Sequence, residues 1–509
     1  MVWLAAVSES ELLQFAWGDG GGSADYTVLD RDRSTVADSS LKMPSPKLNL
    51  PPMMKSPHER GLAVQLVAVL LIMILLISPA VAAASPPQNS VTDDTASTSA
   101  DVGRPTGPSI SANPAAVEIY TGSGEAQRFL LKQFGADNDH GVRFGGVWLA
   151  DCNWLMTGGE KPGALSCNSA LVLDNHIDLK KLTGWWTGGS FGAEFLQLNA
   201  NPTNGQAGSV QGYNSTPGAD PLTRSELYQL WIRQQFLHAR LIIRVGKMTP
   251  SYDFGNVLRP VPTQDAASFI PAVSGLLYTP TFTNPTLYGA SPGFYNSAGG
   301  VVANVVPVKW WYVNYGAFDG NLARGVQTGE TGPIFNGYYF QIAETGFAWR
   351  LGQDRLPGEA GVGIWRQTGV LLGPPGVSEQ GTDGVYAFGS QRIWYRNPGH
   401  DHAGVSTFLQ VGHNESKTLP VNQFVGGGFT GFGLVPSRAN DSAGIGLAWS
   451  QLNPNIFKRN SELMVQSYYQ TQIAKGVYLQ PTLTYIPTPG ASPGYNSAWA
   501  ATLRLTVLF

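Results

Sequence analysis

The last twelve residues, Ala498-Trp-Ala-Ala-Thr-Leu-Arg-Leu-Thr-Val-Leu-Phe509, constrain this chain more than any other stretch. Trp499, Ala501, Leu503, Leu505, Val507 and Phe509 take every second position. Ala500, Thr502, Arg504, Thr506 and Leu508 lie between them. A period of two is a strand with two unlike faces. The run goes on to the final residue and stops on an aromatic ring. A strand of this kind closes a transmembrane β-barrel by pairing with the first strand, one face to lipid and the other to a polar lumen. The terminal strand of a soluble sandwich shares the alternation, so the rest of the chain has to decide.

The body of the chain repeats the pattern. Two-faced stretches of about ten residues alternate with turn-rich segments. They begin near Val142, Ala170, Trp186, Glu226, Arg240, Ala298, Lys309, Tyr338, Glu359, Gly384, Ala403, Asn422, Ala443, Glu462, Val477 and Trp499. That is sixteen, the even count a single-chain outer-membrane barrel requires. No long helical period interrupts them, which excludes a βαβ architecture. Leu463, Val465 and Tyr469 alternate with Glu462, Gln466, Tyr468 and Gln470, and Val477, Leu479, Leu483 and Tyr485 with Tyr478, Gln480, Thr482 and Thr484. In 226–236 the spacing predicts Tyr228, Leu230, Ile232 and Phe236 on the apolar side and Gln229, Trp231, Arg233 and Gln235 on the other. In 240–246, Leu241, Ile243 and Val245 oppose Arg240 and Arg244. The polar faces carry Gln, Thr, Tyr and Arg where a soluble sheet would show more Lys and Glu. Only 13% of residues are charged, about half the usual share. A lumen of amides, hydroxyls and rings suits neutral polyhydroxy solutes.

The N-terminal region reads as export machinery. Residues 62–84 form one apolar run after Lys55, His58 and Arg60, and end in Ala-x-Ala sites at Ala80–Ala82 and Ala82–Ala84. This is a signal peptide over 53–84, with an uncleaved anchor as the alternative. Met53 and Met54 offer start sites, which makes 1–52 a mis-called or disordered extension. Residues 85–113 are Ser-, Thr-, Pro- and Asp-rich and read as a flexible leader. Within 114–140, Phe129, Leu130 and Phe134 have helical spacing, which predicts a short periplasmic helix. The barrel then occupies 141–509.

Net charge is −3, so no nucleic-acid footprint is present. Cys152 and Cys167 can form one disulfide in an oxidising compartment or stand as two thiols. No CxxC or HExxH pattern points to a metal, and no cofactor is expected. Asn397-Pro-Gly-His-Asp-His402 reads as a turn. Gly426–Gly433 precedes no helix and fails the context for nucleotide binding. Ser406 and His413 raise a barrel-embedded hydrolase as an alternative, though their spacing does not support one.

Three stretches resemble the carbohydrate-selective porins of the OprB type. These are Glu226–Phe236 running into Arg240–Met248 and Asp253-Phe254; Gly426–Asp441 with Gly444 and Gly446; and Glu462–Tyr469 with Leu479-Gln-Pro481 and Tyr485-Ile486. The likeness spans about residues 120–509. It implies a sixteen-stranded antiparallel barrel in the outer membrane of a Gram-negative cell. It also implies passage of small sugars by diffusion and arginines and aromatics at the narrowest part. The sequence departs from the family at Pro487-Thr-Pro-Gly490 and across the proline-rich stretch 250–297.

The candidate channel residues are Trp231, Arg233, Arg240 and Arg244, with Glu462, Gln466 and Arg504 from later lumen faces. Rings stack on the CH faces of a sugar, and Arg, Gln and acids bond its hydroxyls. The 250–297 stretch is too long for a casual loop and is expected to narrow the lumen. Asp253 and the preceding Lys247 are placed near that point. Each of these residues has a plainer reading, as a wall-holding ion pair or hydrogen bond. Arg438 and Asp441 read as a loop pin. The expected partners are small sugars and outer-membrane lipid; monomer and homo-oligomeric trimer both stay open. A general or small-acid porin is the alternative function.

Overall fold

The computed structural model describes residues 141–509 except 219, 256–274, 294, 309, 354–355, 399–402, 475 and 509. The expected extension, signal segment, leader and periplasmic helix lie outside these described residues. Sixteen strands follow one another: β1 (Val142–Thr157), β2 (Leu165–Asp178), β3 (Gly189–Asn199), β4 (Thr223–Phe236), β5 (Leu241–Met248), β6 (Ala298–Val308), β7 (Trp311–Asp319), β8 (Tyr339–Leu351), β9 (Leu356–Leu372), β10 (Ser378–Tyr395), β11 (Gly404–Asn414), β12 (Val421–Phe432), β13 (Ser442–Leu452), β14 (Ser461–Ala474), β15 (Val477–Ile486) and β16 (Ala498–Leu508). Each pairs with its sequence neighbours, and β16 pairs with β1 to close the barrel. The closing register sets Trp148 opposite Val507 and Asn153 opposite Thr502, antiparallel. Closure leaves no edge strand, so every strand's ladder groups have a neighbour.

Alternation assigns the faces as the sequence predicts. On β16, Trp499 and Leu503 point outward and are exposed, while Thr502 and Arg504 are buried inside. Glu462, Met464, Gln466 and Tyr468 of β14 and Gln480, Thr482 and Thr484 of β15 also face in. The outer surface carries Leu447, Ile445, Phe429, Ile364 and Val245. Outward rings gather near both strand ends: Trp154 and the stacked pair Tyr485–Trp499 (4.4 Å) at one, Trp310, Phe347 and Trp394 at the other. Apolar bands flanked by aromatic girdles are what a bilayer selects.

Two readings change. Tyr228 is 2% exposed and faces in, not out. The β3–β4 register slips there, with Glu194 opposite Gln229 but Phe195 opposite Leu227. Such a bulge inserts one residue and reverses the parity of everything beyond it, so Glu226 and Arg224 face in as well and are buried. β10 begins at Ser378, earlier than the expected Gly384. Its first residues, Ser-Glu-Gln-Gly-Thr-Asp, are polar throughout and carry no alternation to read.

Cys152 and Cys167 stand directly opposite each other on β1 and β2 and form a disulfide, with Cα atoms 4.1 Å apart. Both are on the exposed outer face. The bond staples a hairpin already laddered together.

Candidate functional site in the lumen

Connections at the end holding the start of β1 and the end of β16 are short, such as 237–240 and 475–476; those at the other end include 200–222, 249–297 and 320–338. Two of the long ones fold inward. The 249–297 segment leaves β5 through a tight turn at Pro250–Tyr252. Proline fixes φ for this turn and has no N–H to lose. The Asp253 and Phe254 N–H groups donate to the Pro250 carbonyl (2.9 and 3.0 Å). The turn delivers Asp253 onto Arg244, with which it forms an ion pair. Asn314 of β7 donates to the Asp253 carbonyl (3.2 Å), and the Gly255 N–H donates to Glu344 of β8 (2.6 Å). Glu344 also accepts the hydroxyls of Tyr312 and Tyr386 (2.5 and 2.7 Å).

Beyond residue 274 the same segment lies on the far wall. The Leu277 and Tyr278 N–H groups donate to Gln466 (2.5 and 3.2 Å), and Gln480 donates to the Gly275 carbonyl. Asn284 donates to the Val411 carbonyl of β11 (3.0 Å). The second inward loop packs on it: Ser215 N–H to Leu277 O is 2.8 Å, and Thr279 N–H to Gly212 O is 2.9 Å.

On the wall facing Asp253, Arg233 and Arg244 are directly opposed on β4 and β5 and both are buried. Two like charges at such a cross-strand position repel. Asp253 answers Arg244, and Ser190 accepts from Arg233 (3.2 Å). The Arg244 guanidinium lies 5.4 Å from the Trp231 ring centroid, a cation–π distance. The ring also rests on bare backbone: a Cβ on Gly192 would lie 2.2 Å from it. Trp231 therefore packs on the Gly192 backbone and seats Arg244. The result is an array of guanidinium, carboxylate, amide and phenol groups of both signs.

The family model for carbohydrate-selective porins, OprB family, matches residues 168–509. The chain belongs to this family. It is an outer-membrane carbohydrate porin. Porin B of Pseudomonas aeruginosa PAO1 is 22% identical over 417 residues, covering 69% of this chain and 83% of that protein. The high-pH structure of Pseudomonas putida OprB superposes with a TM-score of 0.62 at 18% identity, covering 76% of this chain and 97% of that one. That likeness speaks to the fold.

Within this OprB-family barrel the expected site residues separate into groups. Trp231, Arg233, Arg244 and Asp253 come together as described. Arg240 does not join them; it is exposed in the β4–β5 turn, because β5 starts one residue later. Lys247 donates to the carbonyls of Leu227 (2.7 Å) and Gly329, outside that cluster. Glu462, Gln466 and Arg504 face in but hold the inserted loops. Glu462 accepts from Ser209 Oγ (2.7 Å) and from the N–H groups of Val210 (2.8 Å), Gln211 (3.1 Å) and Gly490 (2.7 Å). Gln466 also donates to the Tyr213 carbonyl (2.9 Å). Arg504 pairs with Asp151 and donates to Thr216 (2.7 Å).

Glu344, Tyr312, Asn314 and Tyr386 were not legible as site residues. The one available signal is a lone carboxylate at an inward position of the otherwise uncharged Phe340–Trp349 run. Ser406 and His413 fall on opposite faces of β11, seven residues apart, and do not converge. His400–His402 lies outside the described residues. Arg438 chelates Asp441 through Nε and Nη2 (2.7 and 3.2 Å), a loop pin between β12 and β13.

Proposed function

We propose that small neutral sugars, monosaccharides such as glucose and related polyols, diffuse through this lumen into the periplasm. The observation that carries the reading is the Arg233–Arg244–Asp253 face, where an inserted turn brings a carboxylate against two wall arginines. Its groups offer both donors and acceptors to hydroxyls, as a polyol does in return. A charged amino acid or small acid has to break one of those pairings. The channel carries no catalytic step in this reading. Its contacts stay weak enough for release, so passage is passive. The outer apolar band contacts outer-membrane lipid, and the short-turn end faces the periplasm. The leader is read as before: a signal over 53–84, a flexible stretch to 113 and a helical segment to 140.

Liposome swelling tests it. Reconstituted protein should admit glucose faster than an amino acid of equal size, and Arg244→Ala should reduce that preference. Rates set by size alone, unchanged in the variant, would make it a general porin. Cross-linking of the reconstituted barrel distinguishes monomer from trimer.

A further inference from the structure

The face just described leaves one inward arginine unused. Arg392, on β10, is five strands round the barrel from β5 and 2% exposed. The register shift between Arg392 and Trp394 falls just after it, so it keeps the inward parity of Phe388 and Ser390. Three other inward arginines meet carboxylates: Arg244 meets Asp253, Arg504 meets Asp151 and Arg224 meets Glu226. Among the described residues Arg392 meets Tyr395, as ring and as hydrogen-bond partner, and the Phe432 ring, but no carboxylate. Its Cζ lies 5.1 Å from the Tyr395 centroid and 5.5 Å from that of Phe432. Among the described residues its Nε and Nη1 have no hydrogen-bond partner. Glu359, on the neighbouring strand, accepts from Ser390 (3.1 Å).

The same rung holds more unspent groups. Arg392 is opposite Ser406, and Ser406 is opposite Thr430. Both hydroxyls are fully buried and, among the described residues, without a hydrogen-bond partner. Gln410, two inward positions along β11 from Ser406, has neither amide atom bonded. A buried polar group with no partner costs about 1–3 kcal/mol, and a charged one more. Three adjacent strands hold Arg392, Ser406 and Thr430 on one rung, with Gln410 further along β11. Tyr395 and Phe432 are the last residues of their strands and half-buried, and their rings cover the Arg392 guanidinium.

We propose that this patch is a second lumen subsite, near the mouth holding the strand termini, and that it takes the acid group of a sugar acid such as an aldonate or uronate. The reading rests on the chain being a sugar channel. A guanidinium with two free N–H donors matches a carboxylate. Ser406 and Thr430 can each donate to and accept from a sugar hydroxyl. A neutral sugar would answer the hydroxyls but leave the Arg392 charge uncompensated.

The test is block of single-channel current by gluconate and by glucose, with the full-length protein in planar bilayers. The unmodified protein should be blocked by gluconate at lower concentration than by glucose. Arg392→Gln should reduce that preference about tenfold, the value of one charge-assisted hydrogen bond. Ser406→Ala with Thr430→Val, which keeps the charge and nearly the volume, should weaken gluconate block several-fold. It serves if Arg392→Gln does not fold. Equal block by both solutes, or a preference unchanged in both variants, overturns the subsite and marks the patch as water-filled wall. Loss of the subsite leaves glucose-selective swelling intact, whereas absent swelling refutes the channel reading itself.

Discussion

The Arg504 guanidinium and the Asp151 carboxylate meet across the seam where the last strand joins the first. Nε to Oδ1 and Nη2 to Oδ2 are both 2.6 Å, and Thr216 of an inserted loop bonds both residues. Removing one partner leaves the other buried and charged. Asp151→Ala should cost about 3–5 kcal/mol of unfolding free energy. The double variant with Arg504→Leu should recover part of it. Denaturant unfolding in micelles checks this. Additive losses would mean that the pair does not couple the seam.

Glu462 gathers donors from two separate loops, 209–211 and Gly490. Glu462→Ala orphans all of them at once and should cost about 2–4 kcal/mol. Because the loops then leave the wall, open-channel conductance should rise and proteolysis should begin within 203–216. Wild-type conductance with unchanged proteolysis would remove Glu462 as their anchor.

Gly192 is where the Arg244 seat can be tested without touching a charge. Any side chain there meets the Trp231 ring. Gly192→Ala should destabilise the barrel by about 1–3 kcal/mol through overpacking and shift Arg244. Sugar block should weaken in parallel. A folded Gly192→Ala protein with unaltered block would show that Trp231 does not position the arginine.

Asp441 provides a pH-dependent latch in the 433–441 connection. Burial disfavours its charged form, but hydrogen bonds from Tyr469, Arg438, the Gln472 N–H and Thr471 outweigh that and hold the carboxyl below its ordinary 3.8. A lowered folded-state value contributes stability that is fully present above 3.8 and is lost as pH falls through the folded value. Amide exchange in 433–441 should stay slow at pH 5–7 and accelerate below about pH 4. Asp441→Asn should exchange quickly throughout. An acid response identical in the variant would assign it to another group.

How much could be read without coordinates is clearest from β14 and β4. On β14 the faces of Glu462, Gln466 and Tyr469 follow from a period of two, because the ladder is regular over these residues and shifts only between Gln472 and Ala474. On β4 the same rule places Tyr228 outside, and the bulge turns it inward. Strand pattern carries no mark of an extra residue. Arg233 and Arg244 were legible as lumen charges. Their neighbour Glu344 was not, since its role depends on Gly255, 89 residues away in sequence.

The sequence by itself determined the barrel: sixteen two-faced strands, low charge and an aromatic C-terminal strand admit few other folds, because lipid requires every backbone group to be paired within a closed sheet. Only the tertiary structure decided which inward residues are free for solute. Glu462, Gln466 and Arg504 look the same along the chain as Arg392. They differ because the inserted loops consume their hydrogen bonds, and which wall a long loop reaches is fixed by packing across the lumen, not by local pattern.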